Sequence, residues 1–170
     1  LTEAESPYYA VTDIVVDSNV TLTMEAGAEI LMSDGTNLIV YGNLMANGTA
    51  SKKAVIRSNP EARGRIPAFN TRPRWGALCI TESTDTTKLN NLVISNASFG
   101  RNPAIYKATI SGYHADLVID SIKITDSYMP IYTEYGTVSI SNSTLSTHLS
   151  TDVINIKYAD SAMVRGCTIR

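Results

Sequence analysis

Four eight-residue segments in the second half of the chain share one pattern: Leu92-Val-Ile-Ser-Asn-Ala-Ser-Phe99, Leu117-Val-Ile-Asp-Ser-Ile-Lys-Ile124, Val138-Ser-Ile-Ser-Asn-Ser-Thr-Leu145 and Ala162-Met-Val-Arg-Gly-Cys-Thr-Ile169. They start at Leu92, Leu117, Val138 and Ala162, at nearly even intervals. A repeat with a period of this order marks a solenoid, because one unit cannot bury its apolar side alone and must stack on its neighbours. This constrains the fold more tightly than any other feature.

In each copy the first and third residues are apolar (Leu92/Ile94, Leu117/Ile119, Val138/Ile140, Ala162/Val164), and a period of two places both on one face of a strand. That face is the expected interior. The fifth residue is Asn96, Ser121, Asn142 or Gly166. Asn and Gly tolerate a left-handed backbone, so the chain can bend there without an added loop; Ser121 fits least well. An apolar residue returns at Phe99, Ile124, Leu145 and Ile169, as expected of a second short strand pointing inward after the bend. Strand, tight bend, strand is the corner of a β-solenoid coil.

The first half repeats more weakly. Ile14/Val16, Val20/Leu22/Met24, Ile30/Met32, Leu38/Val40 and Leu44/Ala46 alternate with polar residues, and Asp17-Ser-Asn, Glu25-Ala-Gly, Ser33-Asp-Gly and Asn47-Gly separate them. The interval from Ile14 to Leu38 nearly equals that from Leu22 to Leu44, and both match the later repeat, so early and late coils have similar lengths. The chain then makes roughly six or seven coils, each advancing about 4.8 Å, in a rod about 30 Å long.

The ordered motifs Ser6-Pro-Tyr-Tyr-Ala-Val-Thr-Asp-Ile-Val-Val16, Val20-Thr-Leu-Thr-Met-Glu-Ala-Gly-Ala-Glu-Ile30, Leu38-Ile-Val-Tyr-Gly-Asn-Leu-Met-Ala-Asn-Gly-Thr49, Ala54-Val-Ile-Arg-Ser58 and Trp75-Gly76 resemble the opening coils of bacterial right-handed parallel β-helix surface proteins. Those proteins belong to the pectate-lyase-like superfamily, here its noncatalytic branch. Ala26 and Lys53 stand where such segments usually carry proline. The resemblance covers about residues 6 to 80 by motif and the remainder by repeat period alone. It implies an all-β, right-handed parallel β-helix and an extracellular or cell-surface location.

Composition agrees with one β-rich domain spanning 1–170: 44% of residues are hydrophobic, 18% charged and 7% aromatic. A net charge of −2 argues against a nucleic-acid scaffold, which needs a basic surface. No run of eighteen apolar residues occurs, so no membrane insertion is expected. The absence of an initiator Met and of a signal peptide, and the stop inside a repeat, point to a piece of a longer chain.

Cys79 and Cys167 are expected to be separate thiols, with no cysteine pair at metal-ligand spacing. His114 and His148 have no acidic or cysteine partner at a useful offset and read as ordinary loop histidines. No cofactor or metal is expected. Asn19, Asn47, Asn96 and Asn142 open Asn-x-Ser/Thr triplets, three of them at expected bends where Asn serves the backbone.

Enzymes on this fold act on acidic polysaccharides through carboxylates and basic residues gathered on one outer sheet. Hydrolysis would need a paired acid and base, and Asp116, Asp120 and Asp126 are single. For a lyase the best set is Asp120 and Arg165, which share an outward column two coils apart, roughly 10 Å. That is too far for direct contact, so no catalytic residue is assigned and no enzymatic activity is expected.

Two binding surfaces are expected instead. Tyr106 and Tyr132 stand in matching contexts, Ala104-Ile-Tyr-Lys and Pro130-Ile-Tyr-Thr, about one coil apart. With Ile105 and Ile131 inward, both rings face outward on adjacent coils with Asn155 next in the column, a platform for sugar rings or a protein. Outward Val93, Val118 and Met163 form a second, apolar strip. The insert from Ser58 to Arg74 carries Pro60, Pro67 and Pro73, which cannot donate to a sheet ladder. Its Arg63, Arg65, Arg72 and Arg74 face a single acid, Glu61, and guanidinium forks suit an anionic surface polysaccharide or acidic protein patch.

The reading is a rigid spacer or adhesion module of a secreted or cell-surface protein. Its partners are the rest of the parent polypeptide or other surface proteins. A polysaccharide-binding or polysaccharide-degrading fragment is the alternative. An ice-binding solenoid is a distant third, because Thr21-Leu-Thr23 does not recur coil after coil.

Overall fold

A computed structural model describes residues 1–61, 74–99, 107–147 and 151–170. Every regular element among them is a strand. The strands fall into three all-parallel sheets, A with seven strands and B and C with six each, visited in the order A, B, C along the chain. Each strand bonds to the strand three places further on, which is a right-handed parallel β-helix of about six coils. The early registers fall as expected, with Ile14 opposite Leu38 and Leu22 opposite Leu44.

Alternation turns one side chain in two inward, and the parallel register stacks those side chains into columns. Sheet A stacks Tyr8, Ile30, Ile56, Ile94, Ile124, Leu145 and Ile169. Sheet C stacks Met24, Ala46, Leu89, Ile119, Ile140 and Val164. All the middle members are fully buried. Val164, in the last described coil, is 45% exposed because no further described coil lies over it.

The first expected copy of the repeat is one strand out of frame. Leu92 and Ile94 belong to sheet A, and the residues stacked on Leu117 and Ile119 are Thr87 and Leu89. The true copy is Thr87-Lys-Leu-Asn-Asn-Leu-Val-Ile94. Strands before and after the same bend carry the same apolar alternation, so self-similarity alone does not show which of the two aligns. The slip moves Phe99 out of the core, where it is exposed and meets Tyr128 edge-on at 5.3 Å. It also removes Val93 from the outer strip: Val93 pairs with Lys123, whereas Val118, Ser139 and Met163 share a column.

The bends obey the expected backbone chemistry. Asn91, Ser121, Asn142 and Gly166, at the corner from sheet C to sheet A, have φ of 48°, 55°, 50° and 63°. Asn96 instead sits at the corner after sheet A, with φ of 59°. Trp75-Gly76 opens another coil. The indole is fully buried and donates to the Ser95 carbonyl at 2.8 Å. A Cβ on Gly76 would lie 2.0 Å from Asn37 Oδ1, the atom that accepts from the Ala77 N–H, so only glycine fits.

Candidate binding groove

The corner from sheet B to sheet C uses the same left-handed bend and coil-to-coil backbone bond as the corner from sheet C to sheet A, and differs from it in the side chains it carries. The B strands Leu78–Thr81, Ile110–Tyr113, Ile131–Glu134 and Ile154–Lys157 are each followed directly by a left-handed residue, Glu82, His114, Tyr135 and Tyr158, with φ of 52°, 47°, 61° and 50°; after Tyr135 a second, Gly136, has φ of 76°. The first three are held by one repeated backbone bond to the next coil: Glu82 to Tyr113 at 2.9 Å, His114 to Glu134 at 3.0 Å and Tyr135 to Lys157 at 3.0 Å. The shared left-handed bend and backbone bond on consecutive coils superpose the side chains. The His114 and Tyr135 rings stack at 4.3 Å and 9°, and Tyr135 and Tyr158 at 5.4 Å and 22°. Tyr113 closes edge-on against both His114 and Tyr135. Tyr158 is 72% exposed and Tyr135 36%.

A groove of about 350 Å³ runs beside this stack, lined by Ser83, His114, Ala115, Asp116, Tyr135, Gly136 and Asp160. Its floor is Ala115 and Gly136. A Cβ on Gly136 would meet the Ala115 carbonyl oxygen at 2.5 Å, so the two coils can close here only over glycine. Asp116 Oδ1 accepts from the Thr137 N–H at 2.7 Å, fixing that carboxylate, and the Asp160 N–H donates to the Gly136 carbonyl at 2.9 Å. Among the described residues, nothing hydrogen-bonds the Asp160 carboxylate, the His114 ring nitrogens or the Tyr135 hydroxyl. The stacked rings turn their faces to one another, so polar edges are what the groove presents.

The expected sites fare differently. Tyr132 does face outward with Asn155 next in its column, but its partner on the preceding coil is Ser111 and its ring is only 4% exposed. Lys107 covers one side, with Nζ 4.5 Å from the ring centre, and donates to the hydroxyl at 3.0 Å; Lys157 approaches to 5.7 Å. The hydroxyl donates to Glu134 Oε2 at 2.6 Å, and this bond, followed by Lys107 and Lys157, holds the Glu134 carboxyl below its usual range. Tyr132 is the covered centre of a charged cluster and not an open platform, because period two sets which way a side chain faces and says nothing of what lies over it. Tyr106 and Ile105 lie outside the described residues, as do Arg63, Arg65, Arg72 and His148.

Arg74 is described, and it is occupied. Its Nη1 donates to the Asp126 carbonyl at 2.8 Å and to the Ala97 carbonyl at 3.3 Å, tying three segments together. His114, expected as an ordinary loop residue, is instead a rung of the stack. Cys79 and Cys167 are both free thiols, and burial pushes Cys79 up to about 12.

Asp120 and Arg165 share one outward column with Ser141 between them, as expected. Asp120 accepts from Ser141 at 2.6 Å, Asn142 at 2.8 Å and Ser121 at 2.9 Å. The Ser141 and Asn142 bonds chiefly, then Ser121 and the Arg165 charge, hold its carboxyl below the ordinary value. A carboxylate depressed on folding contributes stability above its unfolded pKa and loses it as pH falls through the folded one. Resistance of the parent chain to urea is therefore expected to weaken between about pH 5 and pH 2 by more than that of Asp120→Asn. Equal acid sensitivity of the two chains would remove this role.

Among the described residues no group of three or more His, Cys, Asp or Glu side chains could hold a metal ion. Comparison with protein-family models, with curated proteins and with solved structures finds no match to this chain. Fold and surface together define a class: a right-handed parallel β-helix with a ring-lined lateral groove.

Proposed function

We propose that this chain is a noncatalytic module of a secreted or cell-surface protein, kin to the noncatalytic branch of the pectate-lyase-like superfamily, and that it is a rigid rod carrying a binding groove on its side. The observation that carries this reading is the choice of residues at the corner after sheet B. A corner that only turns the chain is best served by Gly or Asn, as at Asn91, Asn142 and Gly166 of the corner after sheet C, where the fourth residue is the small Ser121 and none is aromatic. Left-handed backbone costs other residues roughly 1–2 kcal/mol, and ring stacking offsets about 0.5–1.5 kcal/mol per pair. Strain retained at exposed bulky residues beside an open groove is the mark of a working surface. The parallel ladders on both sides hold that surface preformed, which lowers the ordering cost of binding.

The partners in this reading are surface glycans, other surface proteins and the rest of the parent polypeptide, with an acidic polymer reserved for Arg63, Arg65 and Arg72. Tyr135→Gly makes a clean test, since glycine accepts the left-handed bend while the ring is removed. The parent chain should retain a surface ligand that Tyr135→Gly loses, and should leave that ligand uncleaved. Loss of the ligand instead in an Arg63/Arg65/Arg72→Ser variant, with steep salt dependence from screening beyond about 8 Å at 0.15 M, would move the binding surface to the insert. Turnover of a uronic-acid polymer that disappears in Asp120→Asn or Arg165→Ala would replace this reading with an enzymatic one.

A further inference from the structure

We infer that the groove takes an uncharged, extended glycan lying along the rod axis, an inference that rests on the binding role proposed above. Charge selects the ligand class first. The charged groups lining the groove are Asp116 and Asp160, with no Lys or Arg among them. Ionised carboxylates only accept hydrogen bonds, so the ligand must bring donors. A uronate, sulfate or phosphate would meet repulsion from both acids, and hydroxyl groups would not. His114 and Tyr135 add partners able both to donate and to accept, which matches a surface of hydroxyls that do the same.

Geometry then sets the ligand's length and direction. The lining comes from four successive coils: Ser83, His114 to Asp116, Tyr135 and Gly136, and Asp160. Three coil spacings make a groove about 14 Å long, room for about three sugar rings in an extended chain. Along its floor of Ala115 and Gly136 the groove offers each ring of such a polymer one rung of polar groups.

Isothermal titration of the parent chain with three oligosaccharide series tests this: a neutral β-linked hexose series, oligogalacturonate and oligoglucosamine. The neutral series should bind, with affinity rising to about three rings and then levelling, and with little dependence on salt. Tyr135→Gly and Asp160→Asn should each weaken it by about tenfold, equivalent to about 1.4 kcal/mol, while leaving the thermal transition cooperative. Oligogalacturonate or oligoglucosamine binding more tightly than the neutral series, and lost in Tyr135→Gly, would overturn the uncharged ligand and leave the groove standing. If none of the three series binds while Tyr135→Gly still loses another surface ligand, the glycan inference fails alone. If Tyr135→Gly loses no ligand of any kind, the groove reading fails with it.

Discussion

Replacing Trp75 with alanine is expected to lower stability by about 3–5 kcal/mol, the range for emptying a fully buried large aromatic site. The indole has no exposed surface and its N–H donates to the Ser95 carbonyl, so truncation opens a void and removes a hydrogen bond at once. Neighbouring coils cannot close the gap, because the strand spacing of about 4.8 Å is set by backbone hydrogen bonds on three sheets. Chemical denaturation reads the effect as a shift in midpoint at constant slope. Trp75→Phe should recover part of the loss by refilling volume without restoring the N–H. A loss below about 1 kcal/mol in Trp75→Ala would mean that the indole is not an interior group.

Ile119→Ala should cost about 2–5 kcal/mol, and Val164→Ala, at the same position in the column two coils away, less than about 1 kcal/mol. Coverage makes the difference. Ile119 is fully buried between Leu89 and Ile140, whereas Val164 packs on Ile140 alone and stays 45% exposed. In a stack where each coil touches only its neighbours, an interior truncation weakens two interfaces and a terminal one weakens a single interface. Equal losses at the two positions would contradict the column assignment, and would point to a chain that unfolds by some route other than coil-by-coil contact.

The left-handed bends at Asn142 and Gly166 and the inward sets around Ile119 and Ile140 are legible in the chain because both depend on local rules, and the bend at Ser121 is legible only from the repeat. Alternation decides which face a side chain takes, and Asn or Gly tolerates the bend. The frame of the first late repeat is not legible, since Leu92/Ile94 and Leu89 offer the same alternation on either side of Asn91. Coil length does not settle it either, because the stretch from Leu89 to Ile119 is much longer than that from Ile119 to Ile140. The groove did leave a trace in the chain: His114-Ala-Asp116 and Tyr158-Ala-Asp160 are matching triplets, with Tyr135-Gly between them. Their aromatic residues follow sheet B strands, and with strand ends unplaced the triplets look like ordinary loop composition.

The β-helix, its coil period and its interior alternation were therefore written in the residues, because short-range sterics and a period of two need no knowledge of distant partners. Three-dimensional stacking alone settled which side chains meet. It buried Tyr132 beneath Lys107, tied Arg74 Nη1 to the Asp126 and Ala97 carbonyls, and brought His114, Tyr135 and Tyr158 into one column. Each of those contacts joins residues on different coils, far apart along the chain. Their pairing follows from how much chain each coil places between its strands, a quantity that varies from coil to coil and is fixed only when the backbone ladders lock in register.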